Sequence, residues 1–439
     1  RQFDRAYEIL CAIPPELRED PAFDARVQVV KMVCLLGLQK LGAYPALTCL
    51  AGALFLFARI QRRLPNEPAT LRLLARFWDA VGMGEMGLRL SALADELEGR
   101  VVTTSNAEDS EAYVEPPSSV ISILASPPPR VLFITGNDRV NYGLDVLYHG
   151  LQLVLGEGNC VDFPYKATLH GAPAEAFGHY PALFAHAGTP RAASEILALL
   201  QQGHFDVVAW GDADMELPRE LAQAIAAAAR PVRLALVDMR DDCADHSAEL
   251  CAWLGLPSPP PYFKRELLRG VAHACPATPL TFAYPDALVA TEITAPRPTG
   301  AFWAGQRGWG LRDVFLPVLE ARGIETRLSY TQEAYRARLQ QAQACVNLAG
   351  AGFDTVRYWE GPAQGALLLS EMLPLAIPHD FVDMRDAMFF ATRGDLDARL
   401  AYLEAHPAEV EAMRHAGWEK LRRFHTASAR ARQFLTALA

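Results

Sequence analysis

Three kinds of polar residue in this chain have the spacing a ligand site needs. The first is a carboxylate beside a small-residue turn: Tyr358-Trp359-Glu360-Gly361-Pro362-Ala363-Gln364-Gly365 runs into the apolar stretch Ala366-Leu367-Leu368-Leu369. Val356 to Gln364 has helical spacing, Gly365 is suited to end that helix, and Ala366 to Leu369 reads as a buried parallel strand. A carboxylate so placed, near the carboxyl ends of strands, can accept both hydroxyls of a ribose. The bland alternative makes Glu360 a solvated helix residue and Gly365 an ordinary C-cap. The second kind is cationic. Arg357, three residues before Glu360, shares its helical face and either contacts a diphosphate or pairs with Glu360. Arg307 and Arg312 flank a glycine-bearing loop, Gln306 to Gly310, at a helix start, where backbone N–H groups attract phosphate. The third kind is acidic, at strand ends: Asp138 with Asn137 and Asn141, Asp212 with Asp214, and Asp238 with Arg240, Asp241 and Asp242. Asp138, Asp212 or Asp238 can serve as base toward a hydroxyl, or such residues are helix caps and solvated turns.

These residues need a scaffold of alternating strands and helices. The strands expected at 130–135, 160–163, 207–210 and 233–238, with helices at 144–156 and 220–229 among them, imply a parallel sheet covered on both faces. A second such unit starts near Pro296. It has a strand at Phe302, helices at 311–322 and 332–342, strands at Thr326 to Ser329 and Ala344 to Leu348, and the Glu360 helix. Asn347, in the second of those strands, and Gly365 join Glu360, Arg357, Arg307 and Arg312 as expected ligand-binding residues.

Ahead of both units, Phe3 to Leu10, Ala25 to Leu38, Pro45 to Gln61, Ala69 to Val81 and Glu85 to Leu97 show helical apolar periodicity, broken by prolines and Gly82. Leu74-Ala75-x-x-Trp78-x-x-x-Gly82, followed by Gly87, Ser91 and Ala94, resembles half of a tetratricopeptide repeat (TPR). Such a layer either binds a polypeptide or caps the next domain. The uncharged run Leu41 to Ala58 is read as a buried helix, since Pro45 and Thr48 interrupt it and its neighbours are amphipathic. The expected order is therefore a TPR-like helical domain (1–99), a Pro/Ser-rich linker (100–129) and two Rossmann-like domains (130–295 and 296–439).

Composition sets the outer limits. At 439 residues two or three domains are expected, and 51% hydrophobic with 21% charged residues describes a globular chain. A formal charge of −10 argues against a general partner among nucleic acids or anionic membranes, so a diphosphate site has to be a local basic patch. Eight scattered cysteines without C-x-x-C spacing suggest reduced thiols and a cytoplasmic location. No G-x-S-x-G is present, and Gly305 to Gly310, after an expected strand, does not match the order of G-x-G-x-x-G, which speaks against a serine hydrolase and a dinucleotide dehydrogenase.

Residues from about Gly300 to Phe434 resemble the C-terminal domain of the CgeB-like glycosyltransferases, within the GT-B superfamily and near its family 4 relatives. The pieces that carry the resemblance are Ala301-Phe302-Trp303-Ala304-Gly305, Ala344-Cys345-Val346-Asn347-Leu348 and Arg357 to Ala366, with the helical tail and His425. Tyr148-His149-Gly150-Leu151 and Val161-Asp162-Phe163-Pro164-Tyr165-Lys166 are more loosely similar to the N-terminal domains of such enzymes. By this resemblance Glu360 is similar to the second of a glutamate pair and holds the donor ribose, while the first glutamate's place is taken by Gly352. What the resemblance implies is an α/β, GT-B-like fold, two Rossmann-like domains facing a cleft, that moves a sugar from a nucleotide diphosphate sugar to a glycan or protein acceptor. No cofactor or metal is expected beyond the donor, although Asp212-Ala213-Asp214 resembles the metal-diphosphate motif of the GT-A fold. The alternative is a transferase-shaped binding protein without turnover, consistent with Gly352.

Overall fold

The computed structural model describes residues 2–64, 66–100, 128–136, 140–172, 184–211, 217–273, 275–293, 297 and 299–438. Most of the linker, with Asn137, Asp138, Asp212 and Asp214, lies outside the described residues.

The first hundred residues form five helices: α1 (Gln2–Cys11), α2 (Pro21–Lys40), α3 (Ala46–Arg63), α4 (Pro68–Ala80) and α5 (Gly84–Leu97). Proline sets three of the starts, at the first position of α2 and α4 and just before α3, and the Asp20 side chain accepts the Ala22 N–H at 3.0 Å to cap α2. Most of the uncharged run falls in α3, whose Leu47, Leu50, Ala53, Leu56, Phe57 and Ile60 are buried against neighbouring helices. Among the described residues no helix is long and apolar enough to cross a membrane.

The first α/β unit comprises β1 (Val131–Ile134), α6 (Tyr142–Leu155), β2 (Cys160–Phe163), α7 (Ala193–Gln201), β3 (Val207–Gly211), α8 (Arg219–Ala229), β4 (Arg233–Asp238), α9 (Ser247–Leu254), β5 (Tyr262–Lys264) and β6 (Ala277–Pro279). Its strands are all parallel, in the order β2-β1-β3-β4-β5-β6. Val131 pairs with Cys160 on one side and Val207 on the other, so β1 is buried on both faces, as its run of apolar residues demands. The short β5 and β6, between prolines, carry too few residues for a periodic signal.

The second unit comprises β7 (Thr299–Phe302), α10 (Arg312–Ala321), α11 (Gln332–Gln341), β8 (Ala342–Asn347), α12 (Val356–Ala363), β9 (Leu367–Glu371), β10 (Met388–Phe390), α13 (Arg393–Ala405), α14 (Pro407–Phe424) and α15 (Ala427–Leu438). Its parallel sheet has the order β10-β9-β8-β7. The strand expected at Thr326 to Ser329 does not form. Arg327, Leu328 and Ser329 are exposed, which a strand inside a covered parallel sheet cannot be. The helical tail is broken between α14 and α15: the chain turns at His425–Thr426, where His425 O accepts the Tyr284 N–H at 3.0 Å and Tyr284 O accepts that of Ala427 at 2.8 Å. From there α15 packs on α6 of the first unit. The described residues thus form a helical layer followed by two parallel-sheet α/β units.

Candidate active site

The cationic part of the site is built on β7, α10 and α12. Arg357 lies near the start of α12, with its guanidinium 5.8 Å from the centre of the Trp303 ring. A Cβ on Gly305 would come within 2.7 Å of Arg357 Nη2, so the glycine is what lets the loop after β7 approach the cation. Arg357 forms no ion pair with Glu360. Its Nε and Nη1 are buried without a hydrogen-bond partner, and so are Trp303 Nε1 and Arg312 Nε. Arg312 donates to Gln306 O at 2.6 Å and to Leu348 O at 3.2 Å. Burial, together with the neighbouring charge of Arg357, pushes Arg312 down to about 9. No side chain caps the first turn of α12. Glu360 is buried on the same helix and accepts the Tyr335 hydroxyl at 3.0 Å. Burial raises its pKa, against the opposing charge of Arg357.

The other expected residues are placed differently. Arg307 is engaged by carboxylates, with Glu320 at 2.7 Å and Asp313 at 3.5 Å, and by Thr326 at 3.1 Å. Asp238, expected to meet a substrate hydroxyl, is instead locked in the first unit. It accepts from the Tyr262 hydroxyl, from Lys264 Nζ at 3.2 Å and from the Arg240 N–H at 3.0 Å, and is almost wholly buried. Asn141 caps α6 by accepting the Leu144 N–H. Asn347 is fully buried and ties β8 to β9 through Ser370 Oγ at 3.0 Å. Gly365, at φ +73°, ends the turn after α12, and a Cβ there would meet Ile293 Cγ2 at 2.0 Å. Asp138 and Asp212 lie outside the described residues.

A cavity of about 580 Å³ opens where strands of both sheets end. From the first unit come Asp241, Asp242 and His246, after β4, and Glu266, after β5. The second unit supplies Ala349 to Phe353, after β8, and Glu371, at the end of β9. Helices α3 to α5 close the remaining side with Leu54, Phe55, Leu90 and Leu93. This is the position in which open α/β sheets bind ligands; of the described residues picked out by sequence, Asp241, Asp242, Gly310 and Gly352 line it, whereas Arg307, Arg312, Arg357, Glu360 and Asp238 do not. Glu266 and Glu371 lack a motif: each is one acidic residue at or just after the end of a short strand, and only the fold brings them together.

Glu266 also accounts for Gly352. Its carboxylate accepts the N–H groups of Phe353 at 2.9 Å and Asp354 at 3.0 Å, so it crosses from the first unit into the loop of the second. A Cβ on Gly352 would sit 2.5 Å from Glu266 Oε1 and 2.8 Å from Arg265 Nη2. Asp354 answers in the opposite direction, accepting the Phe282 N–H at 2.6 Å. Burial pushes Glu266 up to about 7 and Asp354 up to about 6, with Arg265 opposing both.

No curated protein matches the chain in sequence. Among solved structures, it is similar to Anabaena HepE in complex with UDP and glucose, at 8% identity over 71% of this chain and 99% of that one, TM-score 0.45. A glycosyltransferase from Rickettsia africae gives 7% identity over 71% and 97%, TM-score 0.45. The O-GlcNAc transferase of Thermobaculum terrenum gives 12% identity over 100% and 98%, TM-score 0.38. At such low identities and scores these likenesses assign neither donor nor acceptor. The segment that holds Arg312, Arg357, Glu360 and Glu371, residues 299–436, matches the family described as glycosyl transferase-like.

Proposed function

We propose that this chain is a glycosyltransferase that takes its sugar from a nucleotide diphosphate sugar. The observation that carries the reading is the group of buried N–H donors without partners on Arg357, Arg312 and Trp303. Leaving such donors unpaired costs about 1–3 kcal/mol each, more for charged groups, so their natural complement is an anion rich in acceptors. In a chain of net charge −10 this is a local cationic site, beside a glycine loop and an uncapped helix start, as a diphosphate requires. Glu360, oriented by Tyr335, takes the ribose hydroxyls. In the transfer, the bond from the anomeric carbon to the diphosphate oxygen breaks and a bond to an acceptor hydroxyl oxygen forms. The hydroxyl proton is released, and Arg357 with Arg312 offsets the charge gathering on the departing diphosphate. In this reading the helical layer, TPR-like in sequence, serves the acceptor, and a cytoplasmic location suits the enzyme's use of nucleotide sugars.

A thermal-shift series with UDP, GDP, CDP, TDP and their common sugars tests this. A nucleotide at about a hundred times its Kd stabilises a folded chain by roughly 2.7 kcal/mol. One nucleotide should raise the melting temperature of the native chain, and Arg357→Ala and Glu360→Ala should each abolish the rise. A folded native chain indifferent to every nucleotide would overturn the donor-site assignment.

A further inference from the structure

The cavity differs in charge from the donor site next to it. Four carboxylates line it, Asp241, Asp242, Glu266 and Glu371, against one guanidinium, that of Arg89. Its lining thus lacks the cationic character of the Arg357–Arg312 cluster, which it abuts at Gly350, where a Cβ would come within 3.1 Å of Arg312 Nη2. Three of the four carboxylates are satisfied inside the protein. Asp241 pairs with Arg265, Asp242 accepts from His246 at 2.8 Å, and Glu266 holds the two N–H groups of the 353–354 loop. Glu371 is the exception. Only 6% exposed, it lines the cavity with one oxygen, Oε2, that has no hydrogen-bond partner. A buried carboxylate oxygen that faces a cavity can be satisfied by a donor entering that cavity, and hydroxyl groups are the uncharged donors that fit.

The opposite wall has other chemistry. Leu54, Phe55, Leu90 and Leu93 come from α3 and α5, and Phe55, at 63% exposed, stands at the rim. An occupant therefore meets carboxylates on the strand-end side and hydrocarbon on the helical side. The volume falls within the range that holds a sugar ring with part of an attached chain.

We propose that this cavity is the acceptor chamber, that it takes a glycoside carrying an apolar aglycone, and that Glu371 accepts a hydrogen bond from a hydroxyl of its sugar while the helical layer covers the aglycone. The acceptor role rests on the donor-site reading above; the binding of an apolar glycoside does not, and it is measured without nucleotide.

Octyl β-D-glucoside, below its micelle concentration, and methyl β-D-glucoside are titrated by calorimetry into the full chain, into Phe55→Ser and into Glu371→Gln. The octyl glucoside should bind the native chain at least about tenfold more tightly than the methyl glucoside, since a few buried methylenes at roughly 0.8 kcal/mol each supply that factor. Phe55→Ser, a change at an exposed rim, should erode this preference and leave the methyl glucoside unaffected. Glu371→Gln should weaken both glucosides by the same factor, with the response to nucleotides unchanged. Equal affinity for the two glucosides, binding of neither, or a Phe55→Ser variant with the octyl preference intact would overturn the proposal, whatever the nucleotide series shows. Should Glu371→Gln fail to fold, the Phe55→Ser arm decides.

Discussion

Burial pushes the Glu371 carboxyl up to about 7, with the Ala349 N–H and the charge of Arg312 opposing that rise only in part. The folded chain thus holds this proton more tightly than an unfolded glutamate near 4.5. The resulting stabilisation is complete below about pH 4.5 and is lost as pH rises through about 7. Glu371→Gln removes the titration. Denaturant unfolding of both proteins between about pH 5 and pH 8 should show the variant gaining roughly 2–3 kcal/mol on the native chain across that interval. Parallel pH profiles would mean that the carboxylate stays ionised in the fold. Glu360 was readable in the sequence because glycines at 361 and 365 mark a turn around it. Glu371 was not, because its burial comes from strand order and from the roof of helices, neither of which leaves a local pattern. Arg357 lay between: its helical face was legible, but whether it paired with Glu360 depended on the approach of Gly305 and Trp303 from β7.

At the level of elements, the helical layer is fastened to the second unit by a few directed contacts. Glu96, at the end of α5, accepts the N–H groups of Arg393 at 2.9 Å and Gly394 at 3.2 Å, and so supplies acceptors at the start of α13 alongside the Thr392–Asp395 capping box. Arg62 on α3 stacks on Trp309, 3.8 Å from the ring centre, and donates to Gly308 O at 3.0 Å. A cap is worth about 1 kcal/mol and a cation–π contact about 0.5–2 kcal/mol. The double variant Arg62→Ala/Glu96→Ala should therefore speed amide hydrogen exchange throughout α3 to α5 while β1 and β3 keep their protection. Unaltered exchange in the layer would show that its apolar contacts alone hold it. The helices themselves were legible from apolar period and proline starts. Where they dock was not, since Glu96 and Arg62 are surface residues by every local criterion and their partners lie 297 and 246 positions away.

Across the whole molecule, the C-terminal helix binds the two units together. Gly150 on α6 lies under Ala427 so closely that a Cβ would sit 2.0 Å from its carbonyl oxygen. A backbone atom cannot swing aside as a side chain does. Gly150→Ala should therefore lower stability by about 1–3 kcal/mol or more, seen as an earlier midpoint in denaturant. Gly300→Ala, where an added Cβ meets nothing within 4 Å, is the control and should stay near the native midpoint. The two-unit plan was legible in the alternation of apolar runs with helical periods. The break at His425 was not, because it is dictated by Tyr284, a residue more than a hundred positions earlier.

The carboxylate of Glu266, resting where a side chain at position 352 would go, makes the two halves of the sequence interdependent. A second unit transplanted from a relative with any larger residue at 352 would meet Glu266 at the seam, and acidic residues at both positions would add repulsion to overlap. Domain-swapped hybrids of this chain therefore have to exchange positions 266 and 352 together, and the history of the one position constrains which substitutions the other can accept.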